Sequence, residues 1–358
     1  MRQLATKRVV RELAPIAGAD RIELARIDGW QCVVKKGEFN VGDEGVYFEI
    51  DSMLPATDPR FAFLAKGKVT PFARIKTIRL KGTLSQGLLI PATSLTPDEV
   101  ARVGAGEELT TVLGVQKYEP PLPTGGKQAG TFPTHLVPKT DQERIQNITD
   151  VLNGRNISDF EVTEKLDGTS CTIWSFITQE IVGLGKKLDG QGYDISKPEE
   201  VERLKKDVVG VASRNWEMQK DDDNVYSKTL RESDLVNKLW ELGRNIAIQG
   251  EIIGPAIQGN KYHLAKQEFY VFDIYDIDAK KYLGARERFE LAHELGLKHV
   301  PIMVWNQDTP MSLDSVLTLA DGVSALNGNT MREGLVFKAL DGSLSFKAIS
   351  NEWLLKHE

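Results

Sequence analysis

Thr163-Glu164-Lys165-Leu166-Asp167-Gly168-Thr169-Ser170 is the stretch on which the reading of this chain turns. Val162-Thr163-Glu164 has strand character, and a period of two sends Lys165 and Asp167 to the same face. Gly168 then permits a sharp turn or a close approach of the backbone to a ligand. A lysine amine has a reference pKa of about 10.4 and is almost fully protonated at neutral pH. It becomes a nucleophile when burial or a nearby cation lowers that value. A lysine and an aspartate sharing a face can equally be a plain surface ion pair, so the stretch needs its context.

Five more runs follow in order. They are Ser213-Arg214-Asn215, Gly250-Glu251-Ile252-Ile253-Gly254, Tyr270-Val271-Phe272-Asp273-Ile274, Glu333-Gly334-Leu335-Val336-Phe337-Lys338 and Phe346-Lys347-Ala348-Ile349. Together with the K-x-D-G at Lys165, they resemble motifs I, Ia, III, IIIa, IV and V of the covalent nucleotidyltransferases. That group comprises the DNA ligases, RNA ligases and mRNA capping enzymes. One such run is weak; the ordered succession over residues 163–349 is specific.

A length of 358 residues suits two domains, and 41% hydrophobic content suffices for ordinary cores. No apolar run is long enough to span a bilayer and the N-terminus lacks a signal-peptide stretch, so no membrane partner is expected. Cys32 and Cys171 imply no disulfide framework and a cytoplasmic or other reducing intracellular compartment. Neither has the C-x-x-C partner of a structural zinc site. The net charge of −6 argues against a nucleic-acid partner, but its distribution argues for one. Phe61 to Pro97 contains no acidic residue, yet holds Lys66, Lys68, Arg74, Lys76, Arg79 and Lys81. Such a basic stretch is either a phosphate-backbone surface or a solvated strand-and-loop face.

The expected class is α+β. Residues 1–115 read as short strands (Arg21–Ile27, Gln31–Val34, Gly45–Ile50, Arg74–Leu80) punctuated by glycine, the pattern of an OB-fold β-barrel. A helix start follows at Thr96-Pro97. Residues 116–158 read as a linker rich in proline and glycine, then a junction helix from Asp141 to Leu152. Residues 159–358 read as antiparallel sheets flanked by helices. The expected helices include one capped by Ser233-Asp234 and running to Gly243, and others at Arg286–Leu295 and Ser312–Leu326.

The resemblance implies roles for the site. Lys165 would be the nucleophile, adenylated by ATP. Asp167, Glu251 and Glu333 would organise a hydrated divalent metal, manganese or magnesium, both of which accept oxygen ligands. Lys338 and Lys347 would contact the α-phosphate as point charges. Ser345 stands where many relatives carry a first lysine of motif V. Arg214 would grip ribose or a substrate phosphate. Phe272 would stack on adenine, with Tyr270 the alternative, and Glu164 would read the base edge, partly through its backbone. Arg144 either orients the leaving pyrophosphate or pairs with Asp141.

The barrel precedes motif I and few residues follow Lys347, whereas DNA ligases and capping enzymes usually place a barrel after motif V. This order is similar to the fifth RNA ligase family, ATP-dependent enzymes with an N-terminal OB domain. Lys139–Arg144 and Gly82–Leu88 resemble it too. The implied activity seals RNA with 5′-phosphate and 3′-hydroxyl ends in a nicked duplex or RNA–DNA hybrid, for RNA repair, by a monomer. The intermediates would be lysyl-AMP and an adenylated end. The alternatives are a DNA ligase or a capping guanylyltransferase on the same catalytic domain. A third is a non-catalytic RNA-binding protein, since Ala19–Gly37 is similar to tRNA-binding OB modules.

Overall fold

The computed structural model describes residues 3–65, 70–119, 126–177, 193, 196–303 and 310–357. In the N-terminal part, alternation along Ile22–Ile27 and Trp30–Lys35 turns Ala25, Ile27, Trp30, Cys32 and Val34 inward. They meet Val46, Tyr47 and Phe48 of Glu44–Phe48, which pairs with Ala5–Val9 and Leu88–Pro91. The helix Pro97–Gly104 starts as expected. Thr96 and Glu99 cap each other's backbone N–H groups, with proline at the first position. Strand pairing runs past residue 115, because Gln116–Lys117 lies against Ser52–Pro55. Residues 120–125 of the expected linker lie outside the described residues.

The junction helix is not formed. Glu143–Arg144 is a short strand parallel to Ser345–Ile349, followed by 3-10 turns at Ile145–Asn147 and Thr149–Leu152. A sheet edge takes the backbone, and Ile145 and Leu152 are buried from the turns, so tertiary contact overrides the helical pattern.

The rest of the chain forms two sheets. Five strands run in the order Glu143–Arg144, Ser345–Ile349, Gly334–Ala339, Phe160–Lys165 and Ile302–Met303. A larger sheet centres on Thr169–Ser175, Ile246–Ile253 and Glu268–Asp276. Helices Pro198–Asp207, Val225–Glu232, Leu235–Leu242 and Ala285–Glu294 cover its outer face, with Leu204, Leu230, Leu239 and Leu291 in one core with Ile173 and Ile248. The helix Leu313–Ala320 covers the smaller sheet through Val316 and Ala320.

Two helix expectations need correcting. Asp234 has a left-handed backbone (φ 51°) and makes no cap bond; it separates two helices, the first capped by Asn224. The helix expected to reach Leu326 stops at Ala320, where the Arg332 guanidinium donates to the carbonyls of Leu319, Ala320 and Asp321. Those carbonyls would otherwise need the next helical turn.

Candidate active site

Lys165 ends a strand of the smaller sheet and Thr169 begins one of the larger, so Leu166-Asp167-Gly168 is the crossing between them. The crossing is tight. A Cβ on Gly168 would lie 2.3 Å from the Ile252 carbonyl oxygen and 2.6 Å from Ile253 Cγ2. Register then sets the faces. Glu161 pairs with Lys338, Thr163 with Val336, Lys165 with Gly334, and Val336 with Lys347. Directly paired residues share a face, so Lys165, Lys338 and Lys347 line one side of the smaller sheet. Glu251, paired with Ser170, belongs to the sheet across the cleft, and Glu333 immediately precedes the Gly334–Ala339 strand.

Two of the three carboxylates at the crossing are paired with lysines. Lys165 Nζ donates to Glu333 Oε2 at 2.6 Å. Lys261 pairs with Asp167, whose backbone N–H donates to the Tyr262 hydroxyl at 2.7 Å. Glu251 makes no ion pair among the described residues. Its burial, reinforced by Glu333 and Asp167 against the pull of Lys165, pushes its carboxyl up to about 8. Burial also raises Glu333. For Lys165, burial acts to lower the pKa, but Glu333, Glu251 and Asp167 outweigh it and hold the value above the ordinary lysine range. Burial by itself therefore does not supply the expected lowering, and the three carboxylates keep the lysine as an ammonium. Among the described residues the three carboxylates do not close into a ligand cage, since two face lysines. Three carboxylates against two ammoniums still leave room for a cation, and the raised pKa of Glu251 marks where that charge is short.

The other expected residues surround the crossing. Phe272 lines a cavity with Lys165, Thr163, Leu166, Val300 and Val336; Tyr270 is turned away, its hydroxyl on Glu268 at 2.8 Å. The Lys338 ammonium bridges the sheets, donating to the Phe272 carbonyl at 2.6 Å and Asp273 Oδ1 at 2.7 Å, and burial lowers its pKa. Glu164 Oε2 accepts the Ala325 N–H at 2.7 Å, while Oε1 is buried without a hydrogen-bond partner. Arg214 and Lys347 both meet Asp141, at 3.1 and 3.0 Å. Arg144 does not pair with Asp141. It is 5% exposed, reaches Asp51 of the barrel at 3.3 Å, and keeps Nε and Nη1 without partners. Arg144, Lys165, Asp167, Lys261 and Lys347 border a cleft of about 300 Å³ between barrel and sheets. A larger cavity, about 670 Å³, lies behind Lys338 against Glu161 and Arg288, but it does not reach Lys165.

Part of the basic stretch is neutralised internally. Arg74 pairs with Asp51 at 2.6 Å and covers the Tyr118 ring, and Arg79 pairs with Glu352 at 2.5 Å. Lys66 and Lys68 lie outside the described residues. Sequence reasoning missed Lys261 and Tyr262. Their loop has left-handed backbone at Ala256, Gln258, Asn260 and His263, a mark of functional loops that sequence spacing does not reveal.

An OB-fold domain model matches residues 4–92, and an RNA ligase model matches residues 158–350. Among curated proteins no relative matched. Among solved structures, Naegleria gruberi RNA ligase with PPi is 42% identical, covers 100% of this chain and 99% of its own, and superposes with a TM-score of 0.83. A lysine-to-alanine mutant of that ligase, solved with ATP and Mn, is 41% identical over 99% of each chain, with a TM-score of 0.81. A lysine-to-methionine mutant with AMP and Mn is 42% identical over 99% of each chain, with a TM-score of 0.83. Matched by the RNA ligase model across its catalytic part and by a solved RNA ligase from end to end, this chain belongs to the RNA ligase family.

Proposed function

We propose that this chain is an ATP-dependent RNA ligase that joins a 5′-phosphate to a 3′-hydroxyl, acting as a monomer on nicked duplex RNA or an RNA–DNA hybrid. The observation that carries this is Lys165 at the crossing of two sheets, its ammonium 2.6 Å from Glu333 and its side chain in the Phe272 cavity. The ATP, AMP and PPi in the solved relatives support the nucleotide, and their Mn supports the metal.

Lys165 Nζ attacks the α-phosphorus of ATP, an N–P bond forms, and pyrophosphate leaves. A 5′-phosphate oxygen of RNA then attacks the same phosphorus and Lys165 departs as the amine. The 3′-hydroxyl attacks the adenylated end and AMP leaves. Glu333 Oε2 is placed to hold the proton that Lys165 sheds. A divalent metal, manganese or magnesium, held through its waters by Asp167, Glu251 and Glu333, would favour the neutral amine and offset charge on the phosphate oxygens. Lys338 and Lys347 hold those oxygens, Arg214 grips ribose or a substrate phosphate, and Phe272 stacks on adenine. Glu164 reads the adenine edge, partly through its backbone, and the two unused donors of Arg144 take the pyrophosphate.

The test is incubation with α-³²P-labelled ATP, and separately GTP, followed by denaturing electrophoresis. ATP should give a covalent band that Lys165→Met abolishes, while the variant still seals a pre-adenylated RNA nick. Labelling of Lys165→Met by ATP would refute the reading, and a band from GTP alone would redirect it to capping.

A further inference from the structure

Asp141 lies in Lys139-Thr140-Asp141-Gln142, just before the Glu143–Arg144 strand. Its Oδ1 accepts from Lys347 Nζ at 3.0 Å, and its Oδ2 from Arg214 Nη2 at 3.1 Å and Lys117 Nζ at 3.3 Å. The three cations come from three bodies of the fold. Lys347 is on the smaller sheet, Arg214 follows the Val209–Ala212 strand of the larger one, and Lys117 is on a barrel strand. Burial alone would raise the Asp141 pKa; Lys347, Lys117 and Arg214 outweigh it and hold the group ionised. The same side chain borders both the Phe272 cavity and the cleft beside Arg144.

A carboxylate offers two charged acceptor oxygens, as does a phosphate seen from one side, and both suit the same lysine and arginine donors. Two of the three donors are those assigned above to the nucleotide or its phosphates, and all three line the cleft beside Arg144 to which the pyrophosphate is assigned. At 32% exposed, the Asp141 side chain also has free space in which to move aside.

We propose that Asp141 is an internal competitor for the nucleotide's phosphates. Its carboxylate occupies cations that ATP and pyrophosphate use, and it gives way when either binds. The proposal rests on the ATP-dependent ligase reading. Displacement of Asp141 lowers apparent affinity by the fraction of molecules in which the cations are free. Its return assists release of pyrophosphate, and between turnovers it keeps three mutually repelling cations assembled. A purely positioning role would have the opposite sign, since loss of the carboxylate would loosen Lys347 and Arg214 and weaken binding.

The full-length protein and its Asp141→Asn and Asp141→Glu variants would be titrated with pyrophosphate by calorimetry, and KM for ATP and kcat would be measured for adduct formation. Asp141→Asn should tighten pyrophosphate binding and lower KM by about fivefold or more, the low end of typical coupling between sites, without raising kcat. Asp141→Glu, which keeps the charge, should stay near the unmutated values. Unchanged or weaker binding by Asp141→Asn would overturn the proposal. Should that variant fail to fold, a crystal structure of the unmutated protein with pyrophosphate decides. Asp141 must have parted from Lys347 and Arg214; hydrogen bonds kept to both would overturn the idea. Unmutated protein that neither binds pyrophosphate nor forms the ATP adduct sinks the ligase reading and this proposal together. Unmutated protein that does both, with no gain in Asp141→Asn, sinks only the proposal.

Discussion

Lys165 and Lys261 each neutralise one of the three carboxylates crowded at the sheet crossing, and Glu251 is left holding a proton up to about pH 8. With its pKa raised above the ordinary glutamate value of 4.5, the folded protein binds a proton that the unfolded chain releases, so stability falls as pH rises through the window from 4.5 to about 8. Lys165, raised above 10.5, contributes stability that is lost only at higher pH. Metal-free protein should therefore melt at a lower temperature at pH 8.5 than at pH 6. Glu251→Gln should flatten that difference, and scanning calorimetry at both pH values checks it. Arg144 supplies the second prediction at this scale. Arg144→Ala should weaken pyrophosphate binding about tenfold, with little recovery in Arg144→Lys, because a single ammonium does not replace a planar fork of donors; calorimetric titration reads both. That Lys165, Glu251 and Glu333 would meet was legible because motif order fixes residue type and place together. Lys261, Tyr262 and the hub at Asp141 were not. Their partners stand 94, 95 and 206 positions away in the chain, and no local pattern encodes such a pairing.

Elements were legible where one residue dictates backbone geometry. Gly168 is such a position. Its neighbours leave no space for a Cβ, although its φ is not in the left-handed region, so the requirement is steric rather than torsional. Gly168→Ala should cost about 1–3 kcal/mol, typical of overpacking, measured by urea unfolding. It should also reduce adduct formation more than a distant mutation of equal cost, because the displaced turn carries Asp167. The misread elements share another cause. Glu143–Arg144 joined a sheet edge, and the helix after Ser312 met Arg332 at its end. In each case a group remote in sequence took backbone bonds that local propensity would have given to a helix.

At the scale of the whole molecule, barrel and catalytic part are not separable beads. Ile349 and Leu354 of the C-terminal segment lie in the barrel's core. Asn147 takes the Trp30 indole N–H at 2.6 Å and donates to Glu49 at 2.6 Å, and Gly29 packs directly on the Gln146 backbone. Deleting residues 1–115 to test the barrel's part in RNA binding would strip the cover from that C-terminal segment as well. Leu354→Ala should cost about 2–5 kcal/mol, the range for truncating a buried leucine. Unfolding should remain one transition whether followed by barrel or catalytic-part fluorescence; two separated transitions would show that the shared core does not couple them.

By itself the sequence determined the chemical class, an RNA ligase of the covalent nucleotidyltransferases, through a lysine, three carboxylates and two further lysines in the order that two facing sheets require. It also determined the barrel-first arrangement, since alternating apolar residues and glycine turns are local signals. Tertiary structure alone decided the charge state of Lys165, which depends on the carboxylates that surround a buried ammonium. It alone decided that Arg144 turns to Asp51 rather than Asp141, and that Asp141 gathers cations from three parts of the fold. Electrostatic pairing acts through space, and a linear sequence does not record which charges folding brings within a few ångströms of one another.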